Sequence, residues 1–348
     1  MNRILILRTS SIGDIVMASA ILAPLRKAYP KAHIAWMCEP AYAGMLRCHP
    51  EVNSMHIWPK TIWKALLRKR RYREWASEAV RFTRTLRRER FDLVIDAQGL
   101  LRSRILARLT AAPLRVGLSS KEPGKGLMHQ IVPWNRDDPR VCSEYGELIK
   151  SLNLPTPEIL KPHLALCPED IETSDRLLTE TLGDAHFAVF CPFTTRPQKH
   201  WVEDRWPRLA KAIYDKWRLP AVLLGGPGDE AQGKVMAIRC QSPFHDFTGR
   251  LSLTQSAAVV ARAHLLIGVD TGLTHMGLAF ECPTVAIFGS TRPYLISANH
   301  RLQVLYEPMT CSPCRRHPTC DGAFHCMAAI GIHQVIHAAS TAMEGVAL

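Results

Sequence analysis

Short apolar runs followed by amphipathic stretches recur along this chain in two series, and that alternation limits its fold more than any other feature. The first series is "RILIL", "HIAWMC", "VNSMHIW", "DLVIDA" and "LRVGL"; the second is "HFAVFCPF", "PAVLLGG", "HLLIGVD" and "PTVAIFGS". Near-continuous apolar runs of this length, alternating with helical patterns, describe strands buried on both faces of a parallel sheet and joined in βαβ units. Between the series, residues 151–168 ("SLNLPTPEILKPHLALCP") carry four prolines and break the periodicity. A chain of 348 residues with 47% hydrophobic content can bury two cores of ordinary size. Two α/β domains are expected, 1–165 and 166–348.

Composition narrows the partners. Lysine plus arginine (44) exceed aspartate plus glutamate (31) by 13, which favours polyanionic partners: nucleic acid, anionic lipid or a phosphorylated substrate. No apolar stretch reaches the roughly 18–20 residues of a membrane helix, and Arg8 and Asp14 interrupt the N-terminus before a signal-like region develops. A cytoplasmic protein is expected. Most of the eleven cysteines lie singly in apolar surroundings, as reduced core thiols do, so no disulfide framework is expected. Neither series carries G-x-G-x-x-G after its first strand, which disfavours a nicotinamide dehydrogenase.

Ligands of open α/β sheets bind outside the carboxyl ends of the strands. The chemically unusual residues of this chain stand there: "RTSSIGD", "DAQGL", "CPFTTRPQKHW", "GGPGDE" and "GVDTGLTH". Together they describe a ligand cleft between two domains. Asp14 can cap the helix that begins near Ile15 or act as a base. Lys199, ahead of an expected helix, can meet a phosphate or lie solvated on the surface. Asp270 can cap a helix or bind a sugar, and His275 can bind ligand or sit satisfied in the core. Asp229 can bind a ligand or cap a Gly-Pro turn.

The segments "TSSIGD", "DAQGL", "TTRPQKHW" and "VDTGLTH", in this order and at about this spacing, resemble the lipopolysaccharide heptosyltransferases, glycosyltransferase family 9. The resemblance covers nearly the whole chain, and "DAQGL" is more like the enzymes that add the first heptose than those that add the second. It implies the GT-B fold, two facing Rossmann-like domains with parallel sheets, with acceptor on the first domain and nucleotide sugar held mainly by the second. It implies inverting, metal-independent transfer of L-glycero-D-manno-heptose from ADP-heptose to Kdo of lipid A, with no cofactor. Asp14 would be the general base, and Lys199 with Thr194 and Thr195 would hold the diphosphate. Ser11, Gly13, Thr271, Gly272 and His275 would bind substrate, and Asp270 the sugar hydroxyls. Asp229 would stand one methylene short of the family's ribose-binding glutamate.

Residues 60–90 hold twelve lysines and arginines against three glutamates. Their aromatics and charge fit a solvated helix face, RNA or an anionic surface. The resemblance favours an acceptor and inner-membrane surface, with Lys60, Lys64, Arg70, Arg71 and Arg73 as contacts and no nucleic acid. Cys311, Cys314, Cys320 and Cys326 include a C-x-x-C pair and could hold a structural zinc. The other readings left open are a family transferase with a different nucleotide sugar or acceptor, such as one adding the second heptose, and a non-catalytic sugar-nucleotide or RNA-binding protein.

Overall fold

The computed structural model describes residues 1–346, which divide into two units. One comprises Met1–Asp138 with Cys142–Ala165; the other comprises Pro139–Val141 and the chain from Leu166 onward. In the first unit the strands are β1 (Arg3–Leu7), β2 (His33–Cys38), β3 (Ser54–Ile57), β4 (Leu93–Asp96), β5 (Leu114–Leu118) and β6 (Gln130–Val132). They pair in parallel in the order β3-β2-β1-β4-β5-β6. The second unit has β7 (Ala188–Cys191), β8 (Ala221–Leu223), β9 (Phe244–Asp246), β10 (Leu265–Val269), β11 (Thr284–Phe288) and β12 (Leu302–Tyr306), also parallel, in the order β12-β11-β10-β7-β8-β9. Counted within its own unit, each sheet runs 3-2-1-4-5-6, the doubly wound order of a Rossmann-like domain.

The central strands explain the apolar runs. Ile4–Leu7 and Leu265–Ile267 are wholly inaccessible to solvent because helices cover both faces of their sheets. Leu5, Leu7, Met37, Val94 and Leu106 share one core; Phe190, Trp206, Ile267, Val285 and Val335 share the other. Nine cysteines are free thiols, among them the buried Cys38, Cys191 and Cys282. The expectation of reduced thiols fails at Cys48 and Cys167, which are disulfide-bonded. Each stands at a helix end, after Gly44–Arg47 and before Pro168–Leu182, rather than inside a strand. Among the described residues, no helix is long and apolar enough to cross a membrane.

The strand order has a consequence for function. It reverses between β1 and β4 and again between β7 and β10, and at such points the two adjoining loops run to opposite faces and open a crevice at the carboxyl ends.

Candidate functional site

At the β1/β4 point, the loop after Leu7 is tied to the loop after Asp96. Arg8 donates through Nη1 to the Ala97 carbonyl at 2.7 Å, and the Thr9 amide and hydroxyl donate to Gln98 Oε1 at 3.1 and 2.6 Å. Asp96, fully buried, accepts from the amides of Gln98 and Gly99 and from Ser103 Oγ, so it closes its own loop. Gly99 is fixed by conformation and space: its φ is +69°, and a Cβ there would lie 2.6 Å from the Leu118 carbonyl oxygen. "DAQGL" therefore builds the crevice wall.

Asp14 lies in the first turn of the helix Ile12–Ala18. Its Oδ2 accepts from the Ser11 amide (3.1 Å) and hydroxyl (2.8 Å) and meets Arg8 Nη2 at 2.7 Å. Oδ1 has no donor among the described residues. Desolvation works against ionisation, but the Arg8 guanidinium and the Ser11 donors outweigh it and hold the carboxyl below the usual carboxylate range. Asp14 is thus an ionised carboxylate with one oxygen held and the other open. It also caps its helix, so the two readings coexist in one side chain. Tyr145 Oη donates to the Asp14 carbonyl at 3.3 Å and steadies the turn from a second helix, Ser143–Ser151. Gly13 stands one residue before Asp14 in the same turn, half-buried.

At the β7/β10 point the second unit gathers a denser set. Lys199 Nζ lies 2.5 Å from Asp270 Oδ2 and also donates to the Asp270 carbonyl at 3.2 Å. His275, one turn into the helix Gly272–Ala279, reaches Asp270 Oδ1 through Nε2 at 3.2 Å. Thr291 donates to Oδ2. His275 Nδ1 lies 2.9 Å from Tyr294 Oη, so both ring nitrogens are engaged. Burial opposes the charge on Asp270, but His275, through its hydrogen bond and its electrostatic attraction, and after it Lys199 hold the carboxyl well below the usual range. Thr271 is the residue before the helix and Gly272 its first member, so their amides face outward from a helix start. The Thr194 carbonyl accepts from His200, and Thr195 is exposed on the same loop.

The sequence pattern of glycosyltransferase family 9 (heptosyltransferase) matches residues 79–324. The chain belongs to glycosyltransferase family 9. It is 31% identical over 328 residues to lipopolysaccharide heptosyltransferase 1 of Pseudomonas aeruginosa, covering 90% of this chain and 86% of that protein. Among solved structures, a glycosyltransferase family 9 protein from Veillonella parvula superposes with a TM-score of 0.81 at 21% identity, covering 99% of this chain and 97% of the other. E. coli heptosyltransferase WaaC with ADP-2-deoxy-2-fluoro heptose superposes with a TM-score of 0.72 at 26% identity, covering 96% and 98%. The chain is accordingly an α/β glycosyltransferase of the GT-B class.

Not every residue expected of a family 9 site joins these two groups. Asp229 Oδ2 accepts the Gly226 amide at 2.8 Å and caps its own Gly-Pro turn. Its neighbour Glu230, which the motif reading passed over, lies against Gly249, where φ is +69° and a Cβ would meet the Glu230 carboxylate at 2.3 Å. Arg8, Tyr145, Thr291 and Tyr294 were also passed over. Only the positive charge closing "RILILR" was a signal for any of them, because the others reach the site from distant segments.

The basic stretch folds as two exposed helices, Lys60–Arg68 and Tyr72–Arg88. Lys60 is engaged by Glu39 at 2.6 Å and Arg71 by Glu74. Lys64, Arg70 and Arg73 are exposed and have no ion pair among the described residues. Trp63 packs edge-on against Trp58, Trp75 and Phe82, while Ile62, Leu67 and Tyr72 remain exposed. Cys311, Cys314, Cys320 and Cys326 are free thiols. Burial raises Cys314 and Cys326, and neighbouring thiols raise them further, yet no three of the four sulfurs form a ligand-distance cluster among the described residues. Their loop buttresses the lysine: the Arg315 carbonyl accepts from Gln198, next to Lys199. A cavity of about 460 Å³ behind the Lys199 loop is lined by Phe193, Trp201, Trp206, Met236 and Met327, and by none of Lys199, Asp270 or His275. It is separate from the polar group.

Proposed function

We propose that this chain transfers L-glycero-D-manno-heptose from ADP-heptose to a Kdo hydroxyl of lipid A, with inversion at the anomeric carbon. The observation that carries the reading is the convergence of Lys199, Asp270 and His275 at the β7/β10 switch point, beside the helix start at Thr271 and Gly272. A cation, free helix amides and a carboxylate are the groups a sugar diphosphate needs. Lys199 and the amides meet the diphosphate, aided by Thr194 and Thr195, and the charge on the departing ADP is met by a donor already in position. Asp270 accepts from sugar hydroxyls while His275 and Thr291 hold it.

In the first unit Asp14 is the general base. Its Oδ1 takes the proton of the attacking acceptor hydroxyl while Arg8 and Ser11 keep Oδ2 from turning. Glu230, whose carboxylate lies against Gly249, supplies the ribose contact expected of Asp229, one of whose oxygens is held by the Gly226 amide. Lys64, Arg70 and Arg73, with the exposed apolar residues beside them, receive the anionic acceptor at the cytoplasmic face of the membrane in which it lies. No step in this scheme calls on a metal.

The test is release of ADP from ADP-heptose as a function of acceptor. ADP should appear with Kdo-bearing lipid A and not with lipid A lacking Kdo; release only with an acceptor that already carries heptose would move the reading to the second transfer. Asp14→Asn then tests the base. Turnover should fall about 100- to 10,000-fold, while ADP-heptose binds as before. The residual rate should climb with pH where the native enzyme is level, since hydroxide replaces the missing base. Turnover within a few-fold of native would return Asp14 to capping alone.

A further inference from the structure

His49, Glu51 and His163 belong to neither switch point. His49 is 2% exposed and follows the helix Gly44–Arg47 by two residues. His163 is exposed and comes from the proline-rich segment 114 residues away. It is anchored by its backbone, whose amide donates to Ser19 Oγ at 2.9 Å, and Ser19 Oγ in turn donates to the Val16 carbonyl. The two rings meet edge-on, with His163 Nδ1 3.2 Å from His49 Nε2. On the far side of the His49 ring, Nδ1 lies 3.2 Å from a Glu51 carboxylate oxygen. Among the described residues, this is the one group of three or more His, Cys, Asp or Glu side chains that each bring a ligand atom within 4.8 Å of the others.

We propose that His49 and His163, with Glu51 behind them, form a site for a divalent transition metal of the zinc or cobalt kind. A tetrahedral ion holds each nitrogen ligand at about 2.0–2.1 Å, which sets two such nitrogens roughly 3.3 Å apart, and the facing nitrogens here are 3.2 Å apart. With metal at Nε2, the His49 proton sits on Nδ1 and is donated to Glu51. That is the carboxylate–histidine–metal arrangement that orients a ligand ring and raises its basicity. The long 3.3 Å contact from the Glu51 amide to Nδ1 is then given up. The exposed side of His163 leaves the remaining positions to water. Such an ion would fasten the segment around residue 163 to the loop after Arg47, a structural role independent of the transfer chemistry.

Cobalt(II) is the probe. The full-length chain, stripped with EDTA, should bind one Co²⁺ with visible d–d bands and without the near-ultraviolet thiolate-to-cobalt absorption that the Cys311 loop would give. His163→Ala, at an exposed position that leaves the fold intact, should weaken binding at least tenfold. Glu51→Gln should weaken it about 10- to 100-fold as an outer partner, and Cys311→Ser with Cys314→Ser should leave it unchanged. Zn²⁺ should raise the melting temperature of the native chain and not that of His163→Ala. Cobalt binding that survives His163→Ala, that is lost in the cysteine variant, or that is absent from the native chain would each overturn the proposal.

Discussion

At the scale of single residues, several side chains serve structure and chemistry together, and their contacts separate the two uses. Asp229 and Glu230 are adjacent acids with opposite commitments. Asp229→Asn retains an oxygen for the Gly226 amide, so it should leave both melting temperature and donor affinity near native. Glu230→Gln should raise the KM for ADP-heptose about tenfold, in line with loss of a charge-assisted hydrogen bond worth roughly 1.5 kcal/mol; equal effects of the two substitutions on KM would refute the assignment. Asp270 allows a test by pH. Its carboxyl is held below the ordinary value of 3.8, so the unfolded chain takes up protons first as pH falls. Its stabilising contribution is therefore complete above about pH 5 and is lost progressively below the unfolded value. Asp270→Asn strands Lys199, 15% exposed, without its partner and should cost about 3 kcal/mol at pH 7. Urea denaturation should show that deficit shrinking between pH 5 and pH 3.5; a deficit independent of pH would mean the pair contributes through packing rather than charge.

At the scale of elements, what could be read in advance follows burial. The nine strands expected from apolar runs all form, because eight of them are interior strands covered on both faces and β3 keeps enough of "VNSMHIW" to show. The strands without a clear signal, β6, β9 and β12, are all sheet edges. "QIV" and "FHD" are too short and polar to stand out, and "LQVLY" is only half-buried throughout, so the pattern that marks a parallel strand is absent there. The site was legible for a related reason. Motifs directly following central strands must lie at the carboxyl edge, which located Asp14, Lys199 and Asp270, but nothing local showed that Thr291 and Tyr294 return to Asp270 and His275 from beyond β11. The loop after β4 gives a prediction at this level. Gly99→Ala forces a left-handed residue, costing about 1–2 kcal/mol, and drives a Cβ into the Leu118 carbonyl. Its melting temperature should fall by several degrees, with ADP-heptose binding retained because the proposed donor contacts lie on the second unit. A melting temperature unchanged from native would mean the loop can re-form without its glycine.

At the scale of the whole molecule, charge is the property that the fold concentrates. The chain carries +13, and residues 60–90 supply twelve lysines and arginines against three glutamates, so +9 of that excess sits on two neighbouring exposed helices and the residues that join and follow them. A solvated face and a docking face share this composition, but they respond differently to salt and to lipid charge. Juxtaposed lysines and arginines gain about 1 kcal/mol each at an anionic bilayer surface, and this attraction decays over a Debye length of about 10 Å at 0.1 M salt. Ile62, Leu67 and Tyr72, exposed beside the charges, add an apolar contribution that salt does not screen. The native chain should therefore co-sediment with vesicles containing phosphatidylglycerol and not with phosphatidylcholine alone, and binding should weaken steeply between 50 and about 300 mM salt. Changing Lys64, Arg70 and Arg73, which have no ion pair among the described residues, to glutamate reverses three charges and lowers the net charge of that face by six. Vesicle binding should then fall by at least tenfold, and the KM for a membrane-borne acceptor should rise. The KM for ADP-heptose should stay near native, because the proposed donor contacts lie on the second unit. Arg71→Glu alone should do less than any of the three, since Arg71 is already engaged by Glu74. If the triple variant kept native vesicle binding at low salt, the basic helices would be a solvated surface, and the acceptor would have to be received by another face.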